Sequence, residues 1–494
     1  MRYLSTRDTS IKFTAAQAIR QGLANDGGLF TPEMLPNLNL KTIGSMVDMN
    51  YIQRAVYILG GFLEEFSVAE LTAICEKAYL GGKFDTPEIA PVKSLDDTTH
   101  FLELWHGPTC AFKDMALQAL PHLLTSSIEK CGERRTVCIL VATSGDTGKA
   151  AMEGFCDVER TKILVFYPKD GVSAVQELQM TSQKGKNVGV CAVYGNFDDA
   201  QTGVKKIFTD EELRQKLDGR GYFLSSANSI NWGRVLPQVV YYISAYCDLV
   251  KQGKIELGDK INFCVPTGNF GNILAGYYAK SMGLPVNRLI CASNMNNVLT
   301  DFINTGVYNR NRPFYTTISP SMDILVSSNL ERLLYDMCKN PAEVAGYMKD
   351  LAEKGEYAVS GEILDGIRET FSAGYCTETN ACRVIKSCWD SFGYLIDPHT
   401  ADAFEVLLRY RARTGDATPT VVVSTASPYK FCDSVLKALD KAPAGSGVGL
   451  IDQLFETTGV PVPAPIMELK DKKRRFNTAV EKERMAEVVQ TFLK

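Results

Sequence analysis

The run Thr136-Val137-Cys138-Ile139-Leu140-Val141-Ala142-Thr143 passes directly into Ser144-Gly145-Asp146-Thr147-Gly148, and a helical pattern follows from Lys149 to Phe155. An apolar run without alternation is a strand buried on both faces, the mark of a parallel sheet covered by helices. The loop that ends it opens a helix, which is where open α/β sheets hold their ligands. The same rhythm recurs downstream. Ile163 to Tyr167 leads through Pro168-Lys169-Asp170-Gly171 into a helix from Val172 to Lys184. Val188 to Val193 leads through Gly195-Asn196 into a helix from Asp198 to about Leu217. After a long helix from Trp232 to about Lys251, the strand Ile261 to Pro266 opens into Thr267-Gly268-Asn269-Phe270-Gly271-Asn272 and a helix from Ile273 to about Met282. Leu289 to Ala292 and Thr420 to Thr425 are the remaining clear strands, the last entering Ala426-Ser427-Pro428-Tyr429-Lys430. The fold class is α/β, with open, mostly parallel sheets flanked by helices.

Upstream of the first such unit, Phe101 to Trp105 is a short apolar strand followed by His106-Gly107-Pro108-Thr109-Cys110-Ala111-Phe112-Lys113-Asp114-Met115. Gly107-Pro108 makes a turn and Thr109 suits a helix N-cap. Lys113 then falls in the first turns of a helix that continues through Met115, Leu117, Leu120 and Leu124. At the positive end of a helix, among Phe112, Met115 and Ala116, the charged form of a lysine is disfavoured, and such an amine suits Schiff-base chemistry. Residues 1 to about 95 read as a helical N-terminal domain, with helical patterns at Thr14 to Leu23, Val56 to Phe66 and Val68 to Leu80.

A chain of 494 residues exceeds what one core supports, so two to four domains are expected. A formal net charge of −4 carries no basic excess for nucleic acid or a membrane surface. No apolar run approaches the ~18 residues of a membrane span. The 14 cysteines are scattered singly, without Cys-x-x-Cys, which points to a reducing, cytoplasmic setting and no structural metal.

Two loops have chemical character. Gly268-Asn269-Phe270-Gly271-Asn272 brings backbone close to a ligand and aims a helix N-terminus at a phosphate. It lacks the G-x-G-x-x-G spacing of dinucleotide folds. Ser144-Gly145-Asp146-Thr147-Gly148-Lys149 lacks Walker A spacing, and its hydroxyls suit a carboxylate; taken alone, a plain capped turn explains it as well. The turn after Thr425 reads alone as an ordinary Ser-Pro turn, and Gly445-Ser446-Gly447-Val448-Gly449 as a flexible connection. An imine-forming lysine, a phosphate loop and a hydroxyl loop together suggest pyridoxal 5′-phosphate.

The stretch His106-Gly107-Pro108-Thr109-x-Ala111-Phe112-Lys113-Asp114 resembles the cofactor-lysine motif of the threonine synthase family. Ser144 to Gly148, Gly268 to Asn272, Gly195-Asn196-Phe197-Asp198-Asp199 and Ser226 to Arg234 resemble the same family in order. So do Tyr3-x-Ser5-Thr6-Arg7 and Gly22 to Phe30 at the amino terminus, and the likeness is weakest from Met295 to Thr400. The resemblance implies a fold-type II pyridoxal-phosphate enzyme, tryptophan synthase β-like. Its domains would be 1–95 (helical), 135–234 (small α/β), and 96–134 with 235–494 (large cofactor-binding α/β, with a helical insertion at about 295–400).

By the same resemblance Lys113 is the imine lysine, Gly268, Asn269, Phe270, Gly271 and Asn272 form the phosphate cup, and Thr425 faces the pyridine nitrogen. Asp146 lies near the ring's 3′ oxygen, Ser144 and Thr147 bind the substrate carboxylate, and Asn231 and Arg234 are partners for the substrate phosphate. For Arg234 a surface or interdomain ion pair is the competing reading. The implied activity is that of a carbon–oxygen lyase acting on phosphates. O-phospho-L-homoserine and water give L-threonine and phosphate by γ-elimination and β-addition, the last step of threonine biosynthesis. Lys113 serves as the base, and His106 reads as a structural histidine. The rivals are a phospho-lyase of the same fold releasing a 2-keto acid, and a non-catalytic relative. A monomer is expected, with a homodimer open.

Overall fold

The structure, a computed structural model, describes residues 1–494 apart from Ser144 and the side chain of Asp198. Its strands are β1 (Tyr3–Ser5), β2 (Phe30–Pro32), β3 (Val92–Ser94), β4 (Thr99–Glu103), β5 (Thr136–Ala142), β6 (Thr161–Pro168), β7 (Val188–Tyr194), β8 (Tyr222–Ser225), β9 (Ile261–Pro266), β10 (Val286–Ser293), β11 (Val307–Asn309), β12 (Glu356–Ala358), β13 (Phe371–Tyr375), β14 (Thr420–Ser424) and β15 (Ala479–Glu481). They form a six-stranded sheet in the order β13-β10-β9-β14-β4-β3 and a five-stranded sheet in the order β15-β7-β6-β5-β8. Every pairing in the smaller sheet is parallel. In the larger one only the edge strand β3 runs antiparallel.

Parallel strands put their carboxyl ends on one edge, and the register fixes which loops meet there. Ser424 pairs with Glu103 and Val422 with Cys264, so the segments after β4, β9 and β14 leave the sheet side by side. Burying Val421, Val422 and Val423 completely contributes roughly 1.5–3 kcal/mol each, which is why this central strand reads as an unbroken apolar run.

The helix Trp232–Lys251 runs through the middle of the molecule, and nearly all its residues are buried. Asn231 caps it and Trp232 packs against Tyr3, Phe62 and Tyr278. Among the described residues no helix is long and apolar enough to cross a membrane.

Four features depart from the sequence reading. The first ninety-five residues are not wholly helical: β1 and β2 pair with each other, and β3 belongs to the large sheet. Their helices also share one apolar cluster with Trp232, Phe263 and Val137, so they have no core of their own. The segment 295–400 supplies β13, an edge strand of the large sheet, whose Phe-Ser-Ala-Gly-Tyr sequence lacks a continuous apolar run because one side of it is unpaired. The tail returns to the small sheet: β15 pairs with β7, and Met485 and Val489 pack on Leu140, Leu164 and Phe166, so residues 479–494 belong with 135–234. Finally, the helix after Lys113 is broken into Asp114–Leu117 and Leu120–Lys130. Pro121 has no N–H to give the Leu117 carbonyl, and its ring would clash there, so one helix cannot continue through it.

Candidate active site

The Lys113 segment is fastened to the end of β14. Phe112 N–H donates to the Thr425 carbonyl at 2.8 Å, and Ala111 bridges to Ala426. The turn before it is closed by Asp114, whose carboxylate accepts from Thr109 N–H at 2.8 Å and Thr109 Oγ1 at 2.7 Å. Burial pushes the Asp114 carboxyl up to about 6 against those two donors. Gly107 is required here, because a Cβ would stand 2.6 Å from Asp114 Oδ2.

Lys113 is buried, 9% exposed, and its Nζ donates to Ser321 Oγ at 3.2 Å. Asp146 Oδ2 lies 3.7 Å away and the Phe112 ring centroid 4.9 Å away. Burial lowers the basicity of this amine; Asp146 opposes the shift, while Lys430 and Arg234 add to it. A buried amine with weakened hold on its proton is suited to act as nucleophile and base.

Asp146 opens the helix Asp146–Phe155 after β5. One of its oxygens, Oδ1, accepts from Lys430 Nζ at 2.7 Å and Gln176 Nε2 at 3.1 Å. The other accepts from Ser321 Oγ at 3.2 Å. Burial alone would raise this carboxyl, but Lys430 and Lys113 hold it well below the usual carboxylate range. The turn itself is tied by Thr143 Oγ1, which accepts from Gly145 N–H at 3.0 Å and Gly148 N–H at 2.9 Å. Gly145 adopts φ +135°, and the Gln176 amide would sit 2.5 Å from any Cβ there. Thr147 is half-buried in the first turn of the helix, while Ser144 lies outside the described residues.

Across the crevice, Phe270 takes a left-handed φ of +63° to start the helix Gly271–Met282, whose first N–H groups have no partner within the helix. A Cβ on Gly268 would meet the Ser321 carbonyl at 2.7 Å, so glycine permits this approach. The loop is braced from 327–329: Ser327 Oγ donates to the Gly268 carbonyl at 2.8 Å, and Asn329 N–H and Nδ2 to the Asn269 carbonyl at 3.1 and 3.0 Å. Asn272 Oδ1 accepts from Tyr241 and Tyr242 at 2.6 and 2.8 Å, but its Nδ2 is buried with no partner among the described residues. Arg234 is buried and forms no ion pair among the described residues; it donates to the Ala227 carbonyl, and its Nε is unpartnered. Burial pushes its guanidinium down to about 10. Unpartnered buried donors of this kind are costly unless an anion completes them. The Thr425 hydroxyl makes no hydrogen bond among the described residues, and the residue is buried at the same edge. These donors fit a phosphorylated cofactor and an anionic substrate.

Asn231 departs from expectation. Its Oδ1 accepts from Gly233 N–H at 2.9 Å and its Nδ2 donates to the Ile19 carbonyl at 3.0 Å, so both ends of the amide are committed to capping the helix and tying in the N-terminal segment. Four groups at the site escaped the sequence reading: Lys430, Gln176, Ser321 and Asn329. Lys430 was hidden in a Ser-Pro turn, and Ser321 and Asn329 lie in the segment of weakest pattern.

His106 is held between two carboxylates, Nδ1 on Asp85 and Nε2 on Glu103 at 2.9 Å, and stacks on Trp105. Burial would lower its basicity, but the two acids push it up to about 9. An imidazole whose nitrogens are both engaged is structural. A folded-state value above the ordinary 6.5 contributes stability in full below that pH and loses it as pH rises through about 9. His106→Gln should therefore cost about 1–3 kcal/mol near pH 6 in urea unfolding, with the deficit shrinking towards pH 9.

Comparison with known proteins fits this geometry. A model described as pyridoxal-phosphate dependent enzyme matches residues 93–426, the span from β3 through the Thr425 edge. The chain is thus of the pyridoxal-phosphate-dependent class, and its two sheets place it in fold type II. Models of the threonine synthase N terminus and the threonine synthase C-terminal region match residues 2–79 and 400–492. The chain belongs to the threonine synthase family.

Threonine synthase-like 1 of Macaca fascicularis is 42% identical over 453 residues, covering 89% of this chain and 60% of that protein. This chain therefore spans about three-fifths of the length of that relative. Threonine synthase of Schizosaccharomyces pombe is 39% identical, with 88% and 89% of the two chains covered. The crystal structure of PLP-bound threonine synthase from Brucella melitensis superposes with a TM-score of 0.88 at 37% identity, covering 100% and 98%.

Proposed function

We propose that the chain converts O-phospho-L-homoserine and water to L-threonine and phosphate, using pyridoxal 5′-phosphate carried on Lys113. The observation that supports this most is the pairing, in one crevice, of a buried Lys113 amine of lowered basicity with an Arg234 guanidinium that has no carboxylate partner among the described residues. When bound, the cofactor supplies an electron sink for the carbanions of elimination and addition. Gly268 to Asn272 would hold its phosphate on the open helix N-terminus, with the unpartnered Asn272 Nδ2 as a further donor. Thr425 would meet the ring nitrogen with a neutral hydroxyl, and Asp146 would lie by the 3′ oxygen. Thr147 and Ser144 would take the substrate carboxylate. Arg234 would take the substrate phosphate in the planar geometry a guanidinium offers. Burial weakens the hold of the Lys113 amine on a proton, which suits it to remove and return the Cα proton of the substrate. The fourteen unpaired cysteines support a reducing compartment, the cytoplasm, and we read the protein as a monomer.

Incubating the purified protein with pyridoxal phosphate and phosphohomoserine, then identifying the organic product, tests the reading. Threonine with one phosphate released per molecule is expected. A second reading is favoured by the 42% identity to relatives bearing the name threonine synthase-like 1, against 39% to a threonine synthase. It is hydrolytic release of phosphate and ammonia with formation of 2-oxobutyrate, and finding that keto acid in place of threonine would overturn the first.

A further inference from the structure

Lys430 is a second buried lysine at the site, assigned no role so far. Its side chain has no solvent exposure, and Nζ donates to the Thr109 carbonyl at 3.0 Å and to Asp146 Oδ1 at 2.7 Å. Asp146 is therefore a divided carboxylate. One oxygen is taken by Lys430 and Gln176; the other faces Ser321 Oγ and, at 3.7 Å, Lys113 Nζ. Among the described residues Asp146 is the sole carboxylate in ion-pair range of Lys430.

The two lysines thus share one acid, unequally. A lone buried Asp146 beside Lys113 would transfer its whole field to that amine and trap it as an ammonium. We propose that Lys430 is a positioning residue that acts through Asp146: its ion pair takes up the carboxylate charge and fixes the orientation of the second oxygen, so that Asp146 directs the Lys113 nitrogen without holding a proton on it. Lys430 is carried by the strand-end turn after β14, the same turn that fastens the Lys113 segment, whereas Asp146 comes from the loop after β5. The other charged groups facing this set are Arg234, which also disfavours a proton on Lys113, and Asp114, near Lys430. His399 reaches the set only through Ser321: its Nε2 accepts from Ser321 N–H at 3.1 Å, and its Nδ1 is on Asp397 at 2.7 Å.

The inference rests on the reading of Lys113 as the cofactor lysine, and one experiment separates the two. The visible band of the holoenzyme, which reports protonation of the nitrogen that Lys113 contributes, is titrated against pH in wild type, Lys430→Met and Lys430→Arg. Lys430→Met should raise the midpoint by at least about one unit, a tenfold change in proton affinity, and Lys430→Arg should restore it to within about 0.3 unit. In an Asp146→Asn background, Lys430→Met should move the midpoint by less than about a third as much, because the effect is routed through that acid. Should Lys430→Met not fold, Lys430→Gln carries the same expectation, and the arginine variant still discriminates. A midpoint unmoved by loss of the charge, an arginine variant shifted as far as methionine, or an equal shift without Asp146 would each overturn the proposal. A wild-type protein that acquires no visible band would instead overturn the cofactor reading.

Discussion

Lys113→Ala should abolish both the visible absorbance acquired with pyridoxal phosphate and the turnover of phosphohomoserine, by at least about 10³-fold in kcat, the scale set by loss of a covalent catalyst that also serves as base. The fold should survive. Among the described residues the Lys113 side chain makes one hydrogen bond, to Ser321 Oγ, and looser contacts with Asp146 and the Phe112 ring. Asp146 keeps its closer partners Lys430 and Gln176 when the amine is gone. A far-ultraviolet spectrum and melting temperature close to wild type should therefore accompany a colourless, inactive protein. Residual phosphate anchoring by the Gly268 to Asn272 turn should let the variant bind the cofactor noncovalently, measurable by equilibrium dialysis. A Lys113→Ala protein that formed threonine at the wild-type rate would remove the mechanism.

Arg234→Met should raise the KM for the phosphorylated substrate about 10- to 150-fold, the equivalent of about 1.5–3 kcal/mol for hydrogen bonds between a guanidinium and an anion. The loss should appear mainly in KM, because the phosphate is held before it departs. Stability decides whether Arg234 is functional or merely structural. Among the described residues the buried guanidinium has no carboxylate and its Nε no partner, so replacing it by an apolar side chain of similar length removes a costly charge. The variant should melt no lower than wild type, apart from the lost bond to the Ala227 carbonyl. Weaker substrate binding together with retained stability is the signature expected; an unaltered KM with a lowered melting temperature would make Arg234 a loop brace.

Much of this was legible before the structure because particular residues obey local rules. The strands Thr136–Ala142, Ile261–Pro266 and Thr420–Ser424 are buried on both faces and carry no polar alternation, so length and composition identify them. The turns at Gly145 and Gly268 announce themselves because only glycine tolerates the Gln176 amide and the Ser321 carbonyl at such range. Strands that face solvent or sit at an edge did not show: β8 is half-exposed over most of its length, and β13 and β15 pair on one side only.

At the site, Lys113 stood out in the sequence only in company with the Gly268 to Asn272 and Ser144 to Gly148 loops, and other groups that surround it did not stand out at all. Lys430, Gln176 and Ser321 come from three separate elements and meet only because the sheet edges bring the loops together. Asn231 shows the converse case. An asparagine before a helix is both a cap and an anion donor by composition, and the Ile19 carbonyl, distant in sequence, decides between them.

The central claim is a covalent one, and reductive trapping tests it most directly. The holoenzyme is treated with borohydride, digested, and the pyridoxyl-bearing peptide sequenced by mass spectrometry. A single label on Lys113 is the expected result. A label on Lys430, on any other lysine, or on none would contradict the account.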